Sequence, residues 1–413
     1  MSLINRLRVV IVGGGAAGFF GAIACAQANP NAEIVLLEAG RQPLTKVRIS
    51  GGGRCNVTHA CFEPAVLAQN YPRGGKALRG ALTRFQPRDI VTWFSQHGVE
   101  LKTEADGRMF PITDNSATVV NCLLNVAKDA GVKLRTETPV MAVYSAKGTE
   151  ENGRFEVELK SGEMLKADRL LLATGSNPRG YKIAKSLGHT IEPPVPSLFT
   201  FNIKDVRLAD LAGVAVKTAR VRLPEAKLEQ TGPVLITHWG LSGPAVLKLS
   251  AWGARFLHDR RYNTSLAINW LPESKIEALR EQMQAVRSQL PRKAIGTSCP
   301  FPIPRRLWSR LLAATNIESE KRWSEISNKA INQLIAELTQ SRYQITGKGV
   351  FKEEFVTCGG VTLKEVQFKT MESRPCPGLF FAGEILDIDG ITGGFNFQSA
   401  WTTSWLAGQA MAN

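Results

Sequence analysis

Three glycine-rich stretches hold the residue types that could do chemistry in this chain. The first, Gly13-Gly14-Gly15-Ala16-Ala17-Gly18, fits the pattern G-x-G-x-x-G between an apolar run and an Ala-rich segment. Glycine at the first position permits a tight turn. At the third it lets an anion approach the backbone, and at the sixth it lets a helix pack on a sheet, so that the helix amides face a pyrophosphate. Glu38, followed by Ala39, stands twenty residues beyond Gly18. A carboxylate there accepts hydrogen bonds from an adenosine ribose and argues against a 2′-phosphate. The glycines alone are a weak signal, but strand, turn, helix and downstream carboxylate together predict a dinucleotide site.

The second stretch, Ser50-Gly51-Gly52-Gly53-Arg54-Cys55-Asn56, admits three readings: a phosphate cradle, a redox thiol on a tight turn, or a loop lying flat against a large ring. Phosphate binding is already met by Gly13 to Gly18, whereas a backbone without Cβ atoms suits close approach to a ring. The third stretch runs from Ala382-Gly383-Glu384 to Gly393 and Gly394, which open a helix at Phe395, Asn396 and Phe397. A second helix N-terminus directed at one nucleotide suits a flavin, because its amides face N1 and O2, where the reduced ring carries negative charge. FAD is therefore the predicted cofactor. No second strand-G-x-G-x-x-G-helix unit appears between 140 and 350, so NAD(P)H is expected only as a transient reductant.

Two units must position these stretches, since 413 residues at 44% hydrophobic exceed one small domain. "RVVIV" (8–12) predicts a buried parallel strand, "AAGFFGAIACAQA" (16–28) a helix and "EIVLLEA" (33–39) the next strand. Helices are predicted at 88–98 and 115–131, strands at 139–146 and 154–160 with a turn at "EENG", and a returning strand at 168–175. Past Glu192 the texture changes to recurrent strand-like segments and then a helical stretch over about 274–342. The expected organisation is a split dinucleotide-binding domain, 1–190 and 350–413, around an insertion at 191–349.

Fifty-one Lys and Arg against thirty-six Asp and Glu give a net charge of +15, which attracts nucleic acid, anionic membrane or an anionic small molecule. The seven cysteines are scattered, with no C-x-x-C pair and no zinc spacing, which predicts a reducing compartment and no metal. The apolar start imitates a secretory signal, but its glycines fall where the nucleotide turn needs them. No other run approaches a membrane span, and a cytoplasmic protein is expected.

"ISGGGRCNVT", "GRMFP", "LLLATG", "THWGLSGPA", "VTCGGV", "TMES" and "FAGEILDIDGITGGFNFQSAW" together resemble the bacterial NAD(P)/FAD-dependent oxidoreductases. That family includes aminoacetone oxidase-like and unsaturated bile-acid reductase-like flavoproteins. The resemblance covers nearly the whole chain. It implies an α/β fold, a Rossmann-like FAD-binding domain of glutathione-reductase type interrupted by a β-rich and helical insertion. It further implies that Gly13, Gly15 and Gly18 hold the pyrophosphate and Glu38 the ribose. Lys46 would neutralise cofactor charge, and Val140 would offer its backbone to adenine. Ala173, Thr174 and Gly175 would line the site, with Glu384 on the ribitol and Asn396 and Phe397 near the pyrimidine. Thr357, Gly359 and Gly360 would border the ring on the substrate side. The chain departs from the pattern after "ATGSNP", passing directly to Gly180-Tyr181 where many relatives have a longer Gly-rich connection.

The expected function is hydride transfer through flavin N5, between NAD(P)H or an organic donor and a small organic acceptor or oxygen. Cys55, His238, His59, Arg54 and Arg108 are the candidate catalytic or substrate-binding side chains. A dithiol enzyme using Cys55 is an alternative. Five residues separate Cys55 from Cys61, against four in disulfide reductases, which turns the second thiol by about 100° on a following helix. No histidine follows His258, so the C-terminal His-Glu pair of those enzymes is also missing. The other alternative is an RNA-associated flavoprotein, suggested by the charge and by "PRRLWSRLL" (304–312) and "KRW" (321–323). The first also fits an amphipathic helix with Leu307, Leu311 and Ala314 on one face. Gly394→Val is expected to obstruct the flavin end of the site.

Overall fold

The computed structural model describes residues 6–145, 154–349 and 356–413; the turn expected at "EENG" lies outside them. The described residues form two compact units, 6–195 with 356–413, and 196–349.

In the first unit, Arg8–Val12 (β1) is buried after its first residue, as a central strand of β-branched side chains should be. Ala16–Ala28 (α1), Glu33–Leu37 (β2), Thr45–Gly53 (α2), Lys133–Arg135 (β3), Arg169–Leu172 (β4), Pro178–Ser186 (α3), Leu379–Phe381 (β5) and Phe395–Met411 (α4) follow. The five strands run parallel in the order β5-β4-β1-β2-β3. Val12 is level with Leu37 and Leu172, and Leu172 with Phe381. The turns after β1, β2, β4 and β5 therefore leave from one carboxyl edge, where open α/β sheets bind ligands. The stretch expected to be a loop at 48–59 begins as the end of α2, which breaks at Ser50 (ψ 151°) and continues through three left-handed glycines.

The second unit is built on an antiparallel sheet. Its strands lie in the order 341–345, 264–269, 215–223, 228–237, 240–242, 201–202 and 347–348. The helical stretch resolves into Ile276–Gln289, Arg305–Ala314 and Asn328–Gln340. In "PRRLWSRLL" it is Leu307, Trp308, Leu311 and Leu312 that are buried, while Ala314 is exposed. Trp308 Nε1 donates to Ile295 O (2.9 Å) and Trp323 Nε1 to Ser298 Oγ (2.8 Å), so both indoles belong to the core and neither is available to stack on a base.

Close helix packing sets the first unit's geometry. A Cβ at Gly18 would stand 1.8 Å from Gly13 O, so α1 can begin directly over its own turn only with glycine there. Further along, a Cβ at Gly408 of α4 would lie 2.7 Å from both Ala24 Cβ and Gly21 O of α1. Gly408→Val must therefore push the two helices apart, at a cost of about 1–3 kcal/mol. A thermal midpoint several degrees lower is expected; an unchanged midpoint would contradict this packing.

Candidate functional site

The β1–α1 turn shows which glycines the protein itself demands. Gly13 (φ 111°) donates to Leu37 O (2.8 Å), and a Cβ there would meet Ala173 O at 2.4 Å. Around Gly15, by contrast, nothing lies within 4 Å of an added Cβ, and the α1 N-terminus has no side-chain cap. The space beside these free amides fits a pyrophosphate. Glu38 is held at the same turn: Gly14 N donates to Oε2 (2.8 Å) and Gly40 N to Oε1 (2.7 Å). Each oxygen keeps acceptor capacity for a ribose hydroxyl. Ala16 and Ala17 begin α1, while Ala39 is exposed. Thr138 N donates to Glu38 O (2.9 Å), which brings buried Val140, two residues on, toward the adenosine end.

A second carboxylate gathers the turns after β4 and β5. Glu384 Oε2 accepts from Lys46 Nζ (2.6 Å) and Oε1 from Thr357 N (3.0 Å), and a Cβ at Gly175 would lie 3.5 Å from Oε2. Lys46, expected to neutralise the cofactor, is thus paired with Glu384 here. Gly359 and Gly360 are glycines for backbone reasons, since added Cβ atoms would meet Pro193 O (2.5 Å) and Ile385 O (2.4 Å). A Cβ added at Gly383 (φ 75°) would stand 2.9 Å from Ala17 Cβ and 3.8 Å from Ala400 Cβ, so glycine there lets this turn lie between the first turn of α1 and the second turn of α4.

The Ser50–Asn56 segment has φ values of 58°, 70° and 83° at Gly51, Gly52 and Gly53 and 63° at Cys55. An added Cβ at Gly51 would press within 3.0 Å of Asn56 N and Phe110, whereas at Gly52 and Gly53 it would meet nothing within 4 Å. Those two residues form an open, Cβ-free surface that fits a flat ring. The Asn56 carboxamide ties the segment to α4: its oxygen accepts from Gly394 N (2.9 Å) and its nitrogen donates to Thr58 O (2.9 Å). A Cβ at Gly394 would strike Thr58 O at 2.5 Å. Gly394→Val therefore collides with protein backbone before any cofactor, which corrects the expectation from sequence. Asn396 closes its own loop, accepting from Gly390 N (2.8 Å) and donating to Gly390 O (2.9 Å), and Phe397 stacks on Trp401. Phe395 O accepts from Tyr71 (2.7 Å), and its ring stacks on His59, whose Nδ1 is 3.0 Å from Gly393 O.

The other candidate side chains divide differently. Arg54 donates to Glu104 (2.6 Å) and Asp114 (3.5 Å) and lies over Phe110, and Arg108 donates to Glu104 (2.9 Å) and Asp106 (2.7 Å). These three acids pair with both guanidiniums. Their sequence positions carried no signal of the pairing. His238 sits in the second unit, on an exposed turn beside exposed Trp239. Cys55 is a free, fully buried thiol that burial pushes up to about 12. Cys61 is also free and raised by burial. Among the described residues no His, Cys, Asp and Glu cluster is arranged for a metal, and no helix is long and apolar enough to cross a membrane.

A family profile described as HI0933-like protein Rossmann domain matches residues 7–410. The chain is 32% identical over 428 residues to a ribosomal RNA dihydrouridine synthase of Escherichia coli (strain K12), covering 98% of each. It is 31% identical over 416 residues to a 3-dehydro-bile acid delta(4,6)-reductase of Clostridium scindens, covering 98% of this chain and 99% of the relative. Among solved structures, the 3-ketosteroid-delta4-(5alpha)-dehydrogenase from Rhodococcus jostii RHA1 superposes with a TM-score of 0.52 at 14% identity, over 100% of this chain and 98% of that one, a likeness of fold.

A thiol raised to about 12 is protonated at neutral pH and cannot act as a nucleophile there. Native protein at pH 8 should therefore leave Cys55 unlabelled by thiol reagents, and two-electron reduction should give no long-wavelength thiolate-to-flavin band. Labelling of Cys55 together with that band would restore the dithiol reading.

Proposed function

Because the chain belongs to the HI0933-like Rossmann-domain family, a family of FAD-dependent oxidoreductases, we propose that it reduces a carbon–carbon double bond conjugated to a carbonyl. The observation that carries the flavin part of this reading is a pair of helices whose N-cap residues, Gly15 of α1 and Gly394 of α4, offer no side-chain cap, with the Gly383 turn packed between Ala17 and Ala400. A dinucleotide alone needs one such start; a redox ring that gains negative charge uses the second.

Gly13, Gly15 and the first α1 amides would hold the pyrophosphate, Glu38 the adenosine ribose and Glu384 with Lys46 the ribityl chain. The α4 start would face the pyrimidine, with Gly52 and Gly53 against the ring. When bound, FAD supplies reversible two-electron hydride transfer at N5. The protein's part is to hold the ring against a Cβ-free surface and to stabilise charge with fixed amides. Both named relatives suggest the same substrate chemistry. Dihydrouridine is uridine with its C5–C6 double bond saturated, beside a carbonyl, and a 3-dehydro delta(4,6) bile acid has its double bonds conjugated to one. In each case hydride adds to the carbon remote from the carbonyl and a proton to its neighbour.

A second carrier of that same group, uracil within RNA, is favoured by where the charge lies. Residues 196–355 contain 24 Lys and Arg against 14 Asp and Glu, so +10 of the +15 belongs to the inserted unit. Arg342 and Arg222 flank Ala267 across neighbouring strands, and Arg220 lies opposite Asn269, on the side of the sheet away from its buried residues. Because Trp308 and Trp323 are core residues, contact would be with phosphates rather than through base stacking.

Denatured protein should release FAD and no FMN. Anaerobic NADH or NADPH should bleach the flavin, and conjugated enones, but not isolated alkenes, should reoxidise it. Absence of bleaching with either nicotinamide would defeat the reductase reading.

Ribosomal RNA fragments should bind at low salt, with affinity falling steeply as salt rises. Reversal of Arg220, Arg222 and Arg342 to Glu should weaken that binding while enone turnover persists. No binding at low salt would remove the RNA carrier and leave the small molecule.

A further inference from the structure

The tryptophans of the inserted unit differ sharply in what covers them. Trp270, Trp308 and Trp323 are fully buried and Trp252 is 38% exposed, whereas Trp239 is 70% exposed. An indole is a large apolar surface that folding ordinarily removes from water. Among the described residues, neither the ring nor Nε1 of Trp239 has a partner.

The backbone beneath this indole is fixed. His238 and Trp239 form a two-residue turn closed by the Thr237–Gly240 pair, between the strands at 228–237 and 240–242. Ile203 N donates to Trp239 O (2.8 Å), and Trp239 N donates to Thr237 Oγ1 (3.4 Å). Gly240 (φ 148°) lies so close to the neighbouring strand that an added Cβ would meet Phe201 O at 2.3 Å and Ile203 N at 2.5 Å. The ring is therefore presented from a pinned turn, which lowers the ordering cost of any contact it makes.

The sheet that leads to this turn is cationic. Its strands carry Lys217, Arg220, Arg222, Arg342 and Lys348 against a single acid, Glu229. Arg220 is level with Thr231, and Lys217 is exposed in the bulge between Val216 and Ala219. From Thr231 to Trp239 the chain advances roughly 25 Å, at about 3.3 Å per residue. Between them Pro233 and Leu235 are exposed and uncharged. Cations at one end of an open face and an uncovered aromatic ring at the other are the two features that hold a single-stranded nucleic acid, by its phosphates and by one base. A duplex keeps its bases stacked inside and offers none to an indole. An apolar protein partner for Trp239 would leave the neighbouring positive charge unmatched.

We propose that this face binds single-stranded RNA, with phosphates along Lys217, Arg220, Arg222 and Arg342 and one unpaired base stacked on Trp239, an assignment that rests on the RNA reading above. The arginine surface then supplies affinity without regard to sequence. Trp239 adds the requirement that a base be unpaired.

The test uses the flavin-loaded protein and a labelled, unstructured RNA of about a dozen nucleotides, within the range that single-strand sites engage. In low-salt anisotropy titrations, Trp239→Ala should raise the dissociation constant about tenfold and Trp239→Phe about threefold, the scale of one stacked base lost or weakened. The salt slope should be unchanged in Trp239→Ala, because no phosphate contact is removed, and should flatten when Arg220, Arg222 and Arg342 are reversed to Glu. An abasic chain of the same length should bind the wild type and Trp239→Ala alike. The melting midpoint of Trp239→Ala should not move, since its side chain lies in solvent. Affinity within twofold of the wild type in Trp239→Ala, an equal loss on the abasic chain, or a fallen midpoint would overturn the stack. If the arginine reversals still weaken binding in that case, the RNA reading survives without it. If the wild type binds no RNA at low salt, the RNA reading fails and takes the stack with it.

Discussion

The first amides of an α-helix have no partner within the helix, and α1 and α4 both begin at the site without a side-chain cap. That constraint organises the Rossmann unit. Ser, Thr, Asp or Asn at the helix start would consume an amide; Gly15 and Gly394 bring no side chain that could, and of the α4 start only the Gly394 amide itself is taken among the described residues, by the Asn56 carboxamide. Bringing two such starts together is electrostatically unfavourable unless negative charge sits between them, because each carries partial positive charge. Gly383 makes the approach sterically possible, and Gly21 and Gly408 let the helix bodies follow. Of the two carboxylates, Glu38 is held by the backbone amides of Gly14 and Gly40, and Glu384 by the Thr357 amide together with the Lys46 ammonium.

Much of this was legible in the sequence because its causes are local. β1, α1 and β2 follow from apolar runs and an Ala-rich segment, and their bounds differ from expectation by two residues at most. The glycines were visible too, but not their separate reasons. Gly13, Gly18, Gly359, Gly360, Gly383 and Gly394 are required by neighbouring protein atoms, while Gly15, Gly52 and Gly53 border open space. Only the second kind points toward a ligand. A glycine looks the same in a sequence whichever force fixed it, so that sorting needs coordinates.

Side-chain partnerships were the least legible part, because their partners lie far along the chain. Lys46 meets Glu384 across 338 positions, and Arg54 meets Glu104 across 50. No periodicity encodes such pairs. The basic-aromatic segments misled for a related reason: charge and aromaticity were read together, whereas Trp308 and Trp323 face inward and their arginine neighbours outward. An amphipathic helix with an indole in its apolar stripe has the same composition as a nucleic-acid patch.

The way binding is assigned to backbone has a consequence for substrate range. Amides, glycine contours and two carboxylates would suffice to hold FAD, and none of them belongs to the inserted unit. That unit is then free to change in surface without disturbing the redox centre, since its core is formed by its own sheet and helices. A conjugated double bond asks little of the protein beyond alignment with a hydride donor and a source of one proton. On the proposed reading, carrier identity would therefore be decided by whatever surrounds that bond. In this chain the charge that could make the decision, +10 over residues 196–355, is concentrated in the insertion, whereas the residues suited to the cofactor are concentrated in the Rossmann unit. Separation of the two properties into different folding units would let one scaffold serve carriers as unlike as those in the names of its relatives, a ribosomal RNA and a 3-dehydro-bile acid.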